Sequence, residues 1–221
     1  MKWMIASDIH GSEYYCNELL EAYKREKADR LLLLGDILYH GPRNDLPKEY
    51  QPKKVIEQLN AYKQDIICVR GNCDTEVDQM VLEFPIMADY CVIADGERLI
   101  YATHGHHFHE KNLPLLHKGD ILLCGHTHVP KCTEHPDYIY MNPGSVSIPK
   151  EESWHGYMIF EDNRFIWKDL QEKEKMRFPK RTLEPRGRYN ECGKDGKPDQ
   201  SMYRCGEKLN VFVKNGLYLV T

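Results

Sequence analysis

Nine short apolar runs punctuate the first 170 residues: Trp3–Ala6, Leu31–Leu34, Ile66–Val69, Tyr90–Ile93, Leu99–Thr103, Ile121–Cys124, Tyr138–Met141, Gly156–Phe160 and Phe165–Asp169. Their length and their β-branched or aliphatic content predict strands. Between the first two runs, residues 12–27 place Leu19, Leu20 and Tyr23 at helical spacing among polar neighbours. Residues 52–64 repeat the pattern, with Val55, Ile56, Leu59 and Tyr62 on one face and Pro52 at the start. Strand, helix, strand, helix, strand predicts a parallel sheet with crossover helices, an α/β fold. After about residue 88 the rhythm changes to strands joined by short turns, and Glu161-Asp162-Asn163 reads as the turn of a hairpin.

The apolar rhythm stops near residue 170. Residues 171–208 hold eleven Lys/Arg against seven Asp/Glu, three prolines and few aliphatics, a +4 stretch that contrasts with −8 for the rest of the chain. This composition predicts a solvated linker, with a basic surface for an anionic partner as the second reading. Beyond it, Leu209–Val213 and Leu217–Val220 flank Lys214-Asn215-Gly216, a terminal β-hairpin pattern. The expected division is a domain over residues 1–170 and an extension over 171–221.

The polar residues directly behind five of the runs carry the chemistry. They read Asp8-Ile9-His10, Gly35-Asp36, Gly71-Asn72-Cys73-Asp74, His104-Gly105-His106 and Gly125-His126-Thr127-His128. These are oxygen and nitrogen donors suited to divalent metals of intermediate hardness. Loops at the carboxyl ends of strands gather into one crevice in a layered α/β protein, so donors spread from residue 8 to residue 128 converge. In an extended segment, residues two apart project to the same side, which would let Asp8 and His10 share one ion. Gly35 and Gly125 permit tight turns ahead of the donors.

The order and spacing of these five blocks resemble the calcineurin-like metallophosphoesterases. The segments Ala6–Ser12, Gly35–Asn44, Val69–Asp74, Glu76–Met80 and Asn142–Lys150 are similar to the compact bacterial YfcE-type phosphodiesterases. The resemblance covers roughly residues 1–170. It implies a four-layer α/β/β/α sandwich of two mixed sheets with flanking helices. It also implies a dinuclear site in which Asp8, His10, Asp36 and His128 hold one ion, and Asp36, Asn72, His104 and His126 the other, with Asp36 bridging. Among Mn²⁺, Fe²⁺, Co²⁺, Ni²⁺ and Zn²⁺, which the donors do not distinguish, it favours Mn²⁺. Two such ions, two aspartates and a bridging hydroxide leave a core of roughly +1, which attracts a phosphodiester monoanion and suits direct attack by that hydroxide.

Further candidates surround this set. Cys73 stands where many superfamily members have a histidine that assists the leaving group, and a thiol is a poorer donor to an alkoxide. That favours a metal-dependent phosphodiesterase acting on a small or nucleotide-like diester. The alternatives are a phosphomonoesterase and a non-catalytic interaction module on the same fold. His106 and Arg43 are candidates for contact with substrate phosphate, against a solvated loop histidine and a surface salt bridge. Asp74 would orient a ligand or form a turn, and Asn142-Pro143-Gly144-Ser145 would be a structural turn beneath the metal loops.

Composition narrows the setting. The net charge of −4 gives no global reason to expect nucleic acid or membrane as partner. No run reaches the ~18 apolar residues of a membrane span. Eight cysteines without a CxxC pair predict reduced thiols in a cytoplasmic protein; Cys192 and Cys205 could pair. A homo-oligomer is compatible with the sequence.

Overall fold

The computed structural model describes residues 1–96 and 98–178 and the backbone of residues 217–218. Two six-stranded mixed sheets form its centre. The first has the order β11-β10-β9-β1-β2-β3, with β1 Trp3–Ala6, β2 Arg30–Leu33, β3 Ile66–Cys68, β9 Gly156–Glu161, β10 Arg164–Asp169 and β11 Glu174–Phe178. The second has the order β12-β4-β5-β6-β8-β7, with β4 Tyr90–Asp95, β5 Arg98–Thr103, β6 Asp120–Leu123, β7 Lys131–Glu134, β8 Tyr138–Asn142 and β12 Leu217–Tyr218.

The continuous apolar runs follow from burial on both faces. In β1, Trp3 and Ile5 point between the sheets while Met4 and Ala6 point at the helices; Leu32 and Leu34, against Leu31 and Leu33, divide in the same way. The parallel register Met4↔Leu31 and Ile5↔Leu32 keeps these sets aligned. The inter-sheet core takes Met158, Phe160, Phe165 and Trp167 from the first sheet and Ile100, Ile121, Leu123, Ile139 and Met141 from the second. Trp167 donates its indole N–H to the Asn142 carbonyl at 2.7 Å, a direct link from one sheet to the other.

Helix α1 (Glu13–Glu26) begins on Ser12, whose hydroxyl caps the Tyr15 N–H at 3.2 Å. Helix α2 (Pro52–Asn60) places Pro52 in its first turn and Val55 and Leu59 in the core; the chain then continues through turns to Asp65. The four-residue helix α3 (Glu76–Gln79) starts from a reciprocal Thr75–Asp78 capping box. Helices α1 and α2 pack on the outer face of the first sheet. On the outer face of the second sheet, Leu122, Cys124, Tyr138 and Tyr140 are met by Tyr101 and Leu116, so the loop after β5 supplies cover there.

Two local expectations change. The polar stretch from residue 171 is not all linker, because Glu174–Phe178 pairs antiparallel with β10 as an edge strand. Of the expected terminal hairpin, Leu217 and Tyr218 pair antiparallel with Ile93 and Val92, and the other arm lies outside the described residues, as do Cys192 and Cys205. No helix among the described residues is long and apolar enough to cross a membrane.

Candidate metal centre

All five donor blocks meet at the carboxyl ends of β1, β2, β3, β5 and β6. Asp8 and His10 are not extended, as the sequence pattern suggested. Asp8 (φ 60°), His10 (φ 50°), Asp36 (φ 56°), His126 (φ 65°) and His128 (φ 63°) all occupy the left-handed region. Each such residue is strained on its own, and the cluster persists because backbone hydrogen bonds fix the loops. The Asp8, His10 and Gly11 N–H groups donate to the carbonyls of Gly35, Asp36 and Ile37 at 3.1, 2.9 and 2.8 Å. The Asp8 carbonyl accepts from the Ser145 and Ser147 hydroxyls at 2.9 and 3.0 Å.

Two glycines allow the loops to touch. A Cβ on Gly71 would lie 2.1 Å from Asp36 Oδ1, and one on Gly125 would lie 2.0 Å from Ser7 Oγ. Asp74 accepts the N–H groups of Asp36, Gly71 and Ile37 at 2.8, 2.7 and 2.9 Å, so it organises the loop that carries Asp36. Burial pushes its carboxyl up, against those same N–H donors. Asn142 does the equivalent for the last block, donating to the Gly125 carbonyl at 2.7 Å and to Thr127 Oγ1 at 3.1 Å.

Three histidines are oriented alike. The Nδ1 atoms of His10, His104 and His128 each sit 2.7 Å from a backbone carbonyl, of Tyr39, Leu34 and Ile148 respectively. A carbonyl can only accept, so each Nδ1 is the donor and each Nε2 is turned inward, where its lone pair is available once a metal takes the place of a proton. Those lone pairs face other acceptors. His10 Nε2 and His128 Nε2 are 3.2 Å apart, and Asp8 Oδ1 lies 3.5 Å from the first and 3.1 Å from the second. His104 Nε2 faces Asn72 Oδ1 at 3.1 Å, His126 Nδ1 at 3.2 Å and Asp36 Oδ2 at 3.4 Å. Asp36 Oδ2 is also 3.7 Å from His10 Nε2, so it touches both groups. Asp8 Oδ1 is buried without a hydrogen-bond partner. Buried acceptors converging in this way call for cations, and the mixed imidazole, carboxylate and amide set fits divalent metals.

Electrostatics give the same demand. Burial pushes the His104 imidazolium down, but Asp36 and Asp8 outweigh it and lift the group to about 9. Burial opposes ionisation of Asp8 too, yet His10, His128 and His104 hold its carboxyl well below the usual range. Positive charge is favoured at this point whichever carrier brings it.

The cleft above the donors is about 450 Å³ and is lined by Asp36, Asn72, His126 and His128, together with Arg43 and Cys73. Arg43 is exposed and has no ion-pair partner among the described residues, so the surface salt bridge is not found there. Cys73 is 8% exposed; its Sγ accepts from Asn72 Nδ2 at 3.2 Å, and burial followed by Asp36 pushes the thiol far up. His106 does not line the cleft. Its ring sits 5.4 Å from His104 and 6.4 Å from His126, with a buried and unpartnered Nδ1, and burial and His104 lower it to about 4. The pattern of runs and motifs missed Lys150, whose exposed side chain lines the same cleft. Its only sequence signal is its place at the end of the Asn142–Lys150 segment.

With this geometry, family comparison is decisive. The calcineurin-like phosphoesterase superfamily domain matches residues 1–164, and the chain belongs to that superfamily. Among curated relatives, phosphodiesterase YfcE of Escherichia coli is 49% identical over 150 residues, covering 68% of this chain and 82% of YfcE. Phosphodiesterase MJ0936 of Methanocaldococcus jannaschii is 27% identical over 153 residues, covering 65% of this chain and 83% of its own. The solved structure of E. coli YfcE superimposes with a TM-score of 0.78 at 42% identity, covering 80% of this chain and 98% of that one. Vps29 of Entamoeba histolytica shares the fold at 19% identity and a TM-score of 0.56, covering 81% of this chain and 100% of its own.

Proposed function

We propose that the chain is a phosphodiesterase that hydrolyses a small or nucleotide-like diester at two divalent cations, Mn²⁺ being the leading candidate. The observation that carries this reading is the set of inward Nε2 atoms facing Asp8 and Asp36 beneath a cleft lined by the cationic side chains of Arg43 and Lys150. Similarity to YfcE and MJ0936, both phosphodiesterases, supports the same reading. Asp8, His10, Asp36 and His128 would hold one cation, and Asp36, Asn72, His104 and His126 would hold the other. When bound, such cations polarise phosphoryl oxygens and acidify a coordinated water.

The chain's own residues do the rest. Arg43 and Lys150 approach the phosphate from the cleft mouth and neutralise its non-bridging oxygens. Asp74 and Asn142 fix the loops that carry Asp36 and His126, which holds those side chains in place for the reaction. Burial and Asp36 push the Cys73 thiol up, and direct attack by water asks for no nucleophile from it. The same weak acidity gives little help to an alkoxide, so diesters with good leaving groups react best. His106 stands beside His104 and His126 but outside the cleft, so it does not contact the phosphate. The complete donor set argues for catalysis over a binding module, and six free thiols among the described residues suit a reducing, cytoplasmic setting.

The test uses bis(p-nitrophenyl) phosphate and p-nitrophenyl phosphate with Mn²⁺ and after exhaustive chelation. Diester turnover should require metal and exceed monoester turnover; metal-independent turnover or a strong monoester preference overturns the reading.

A further inference from the structure

A second depression of about 400 Å³ adjoins the metal cleft, and Cys73 lines both. The loop that follows β2 divides them. Its Gly41, Pro42 and Arg43 face the cleft, while Leu38 and Tyr39 face the groove. Gly41 packs so closely over the thiol that an added Cβ would meet Cys73 Sγ at 3.2 Å. The groove is anchored to the metal loops as well, because the Tyr39 carbonyl holds His10 Nδ1 at 2.7 Å.

Its chemistry is unlike that of the cleft. Tyr39, Tyr50, Val77 and Val81 supply the walls, and Tyr39, Val77 and Val81 are 42%, 68% and 43% exposed. Thr75 and Asp78, which also line it, are bonded to each other. Asp78 Oδ2 accepts from the Thr75 N–H at 2.8 Å and from its hydroxyl at 2.9 Å. An open aromatic and aliphatic surface one thiol away from a phosphate site is suited to a flat apolar group attached to that phosphate. A monoester of a small alcohol would leave it uncovered, whereas a diester has a second arm to place there.

We infer that this groove is the subsite for one ester arm of the substrate, and that the arm is an aryl group or nucleobase resting on Tyr39 with Val77 and Val81 at its edge. Stacking is its source of affinity, so the subsite selects aromatic character and tolerates different bases. The inference rests on the phosphodiester reading for its biological meaning, but binding tests it without turnover.

The probes are phenylphosphonate and methylphosphonate, which share the anionic head and resist hydrolysis, titrated calorimetrically into the Mn²⁺-loaded full chain. The wild type should bind phenylphosphonate about tenfold tighter than methylphosphonate. The combined Tyr39→Ala and Val77→Ser variant should lose most of that preference while holding methylphosphonate as before. Equal affinities in the wild type overturn the subsite, as does a preference that survives the substitutions. So does a concentration-dependent dimer in sedimentation that the substitutions abolish while the two phosphonates bind alike, because a second copy then covers the groove. Failure to hydrolyse any diester would overturn the proposed function and leave a positive phosphonate result standing. Tyr39→Phe separates stacking from the hydroxyl, and it should retain the preference.

Discussion

Two buried acidic clusters sit on the same sheet and differ in how their charge is met. Glu26, at the end of α1, accepts from Lys2 Nζ at 3.1 Å, from the Tyr157 hydroxyl at 3.0 Å and from Lys168 Nζ. Both carboxylate oxygens there have donors, and the cluster ties α1 to β9, to β10 and to Lys2 just ahead of β1. Asp8 Oδ2 and Asp36 Oδ1 each accept one backbone N–H, from His126 at 3.1 Å and from Cys73 at 2.8 Å, but their remaining oxygens have no lysine or hydroxyl donor. They face imidazoles whose protons are already committed to backbone carbonyls. Burial alone therefore does not mark a functional site. What distinguishes the second cluster is that its acceptors are turned toward one another, at the cost of five left-handed residues.

The sharpest way to break the contrast is Asp36→Asn. It removes the charge shared by the two halves, and one misplaced electrostatic partner already costs ~10²–10³ in turnover. Diester hydrolysis should fall by more than about 10³-fold and metal analysis should find less than two ions per chain; two tightly held ions with near-normal turnover would refute the bridge. Next in size is Cys73→His, which puts an imidazole at the cleft wall. General acid assistance is worth ~10²–10⁴-fold, most of it for poor leaving groups. Rate plotted against leaving-group pKa should flatten in the variant; an unchanged slope at uniformly lower rates would mean that Cys73 only packs.

Asp74→Ala should weaken metal affinity by ~10–100-fold without touching a ligand, as loss of an outer partner does, and equilibrium metal binding measures it. The smallest effect belongs to the satisfied cluster. Burial pushes Glu26 up, but Lys168, Lys2 and Tyr157 outweigh it and hold its carboxyl below the ordinary value. A depressed carboxylate contributes stability above its unfolded pKa of ~4.3 and loses it as pH falls through the folded value. Both lysines are part-exposed, so screening limits the cost of Glu26→Gln to about 1 kcal/mol at pH 7. That cost should shrink below pH ~4 in denaturant titrations, and metal affinity should not change; a metal-binding defect would erase the distinction between the clusters.

The donor blocks were legible because their chemistry is local: Asp8, His10, Asp36, Asn72, His104, His126 and His128 each follow an apolar run, and the structure brings them together. The nine strands behind them were legible because burial on both faces writes continuous runs. Lys131–Glu134 and Glu174–Phe178 were not, since these two edge strands carry few apolar positions, unlike the apolar edge strand Ile66–Cys68. The left-handed backbone at Asp8 and His10 left no trace either, because tertiary hydrogen bonds impose it against local preference. Lys150 and the groove beside Cys73 depend on which loops fold next to each other, and single-residue patterns carry no record of that.

The Trp167 indole gives the molecule an optical gauge. It is fully buried and donates to the carbonyl of Asn142, whose side chain holds the loop of His126 and His128. The chain has two other tryptophans, Trp3 and Trp154, so in a variant with both replaced by phenylalanine the fluorescence of Trp167 should register the docking of the two sheets together with the order of the loop that Asn142 holds.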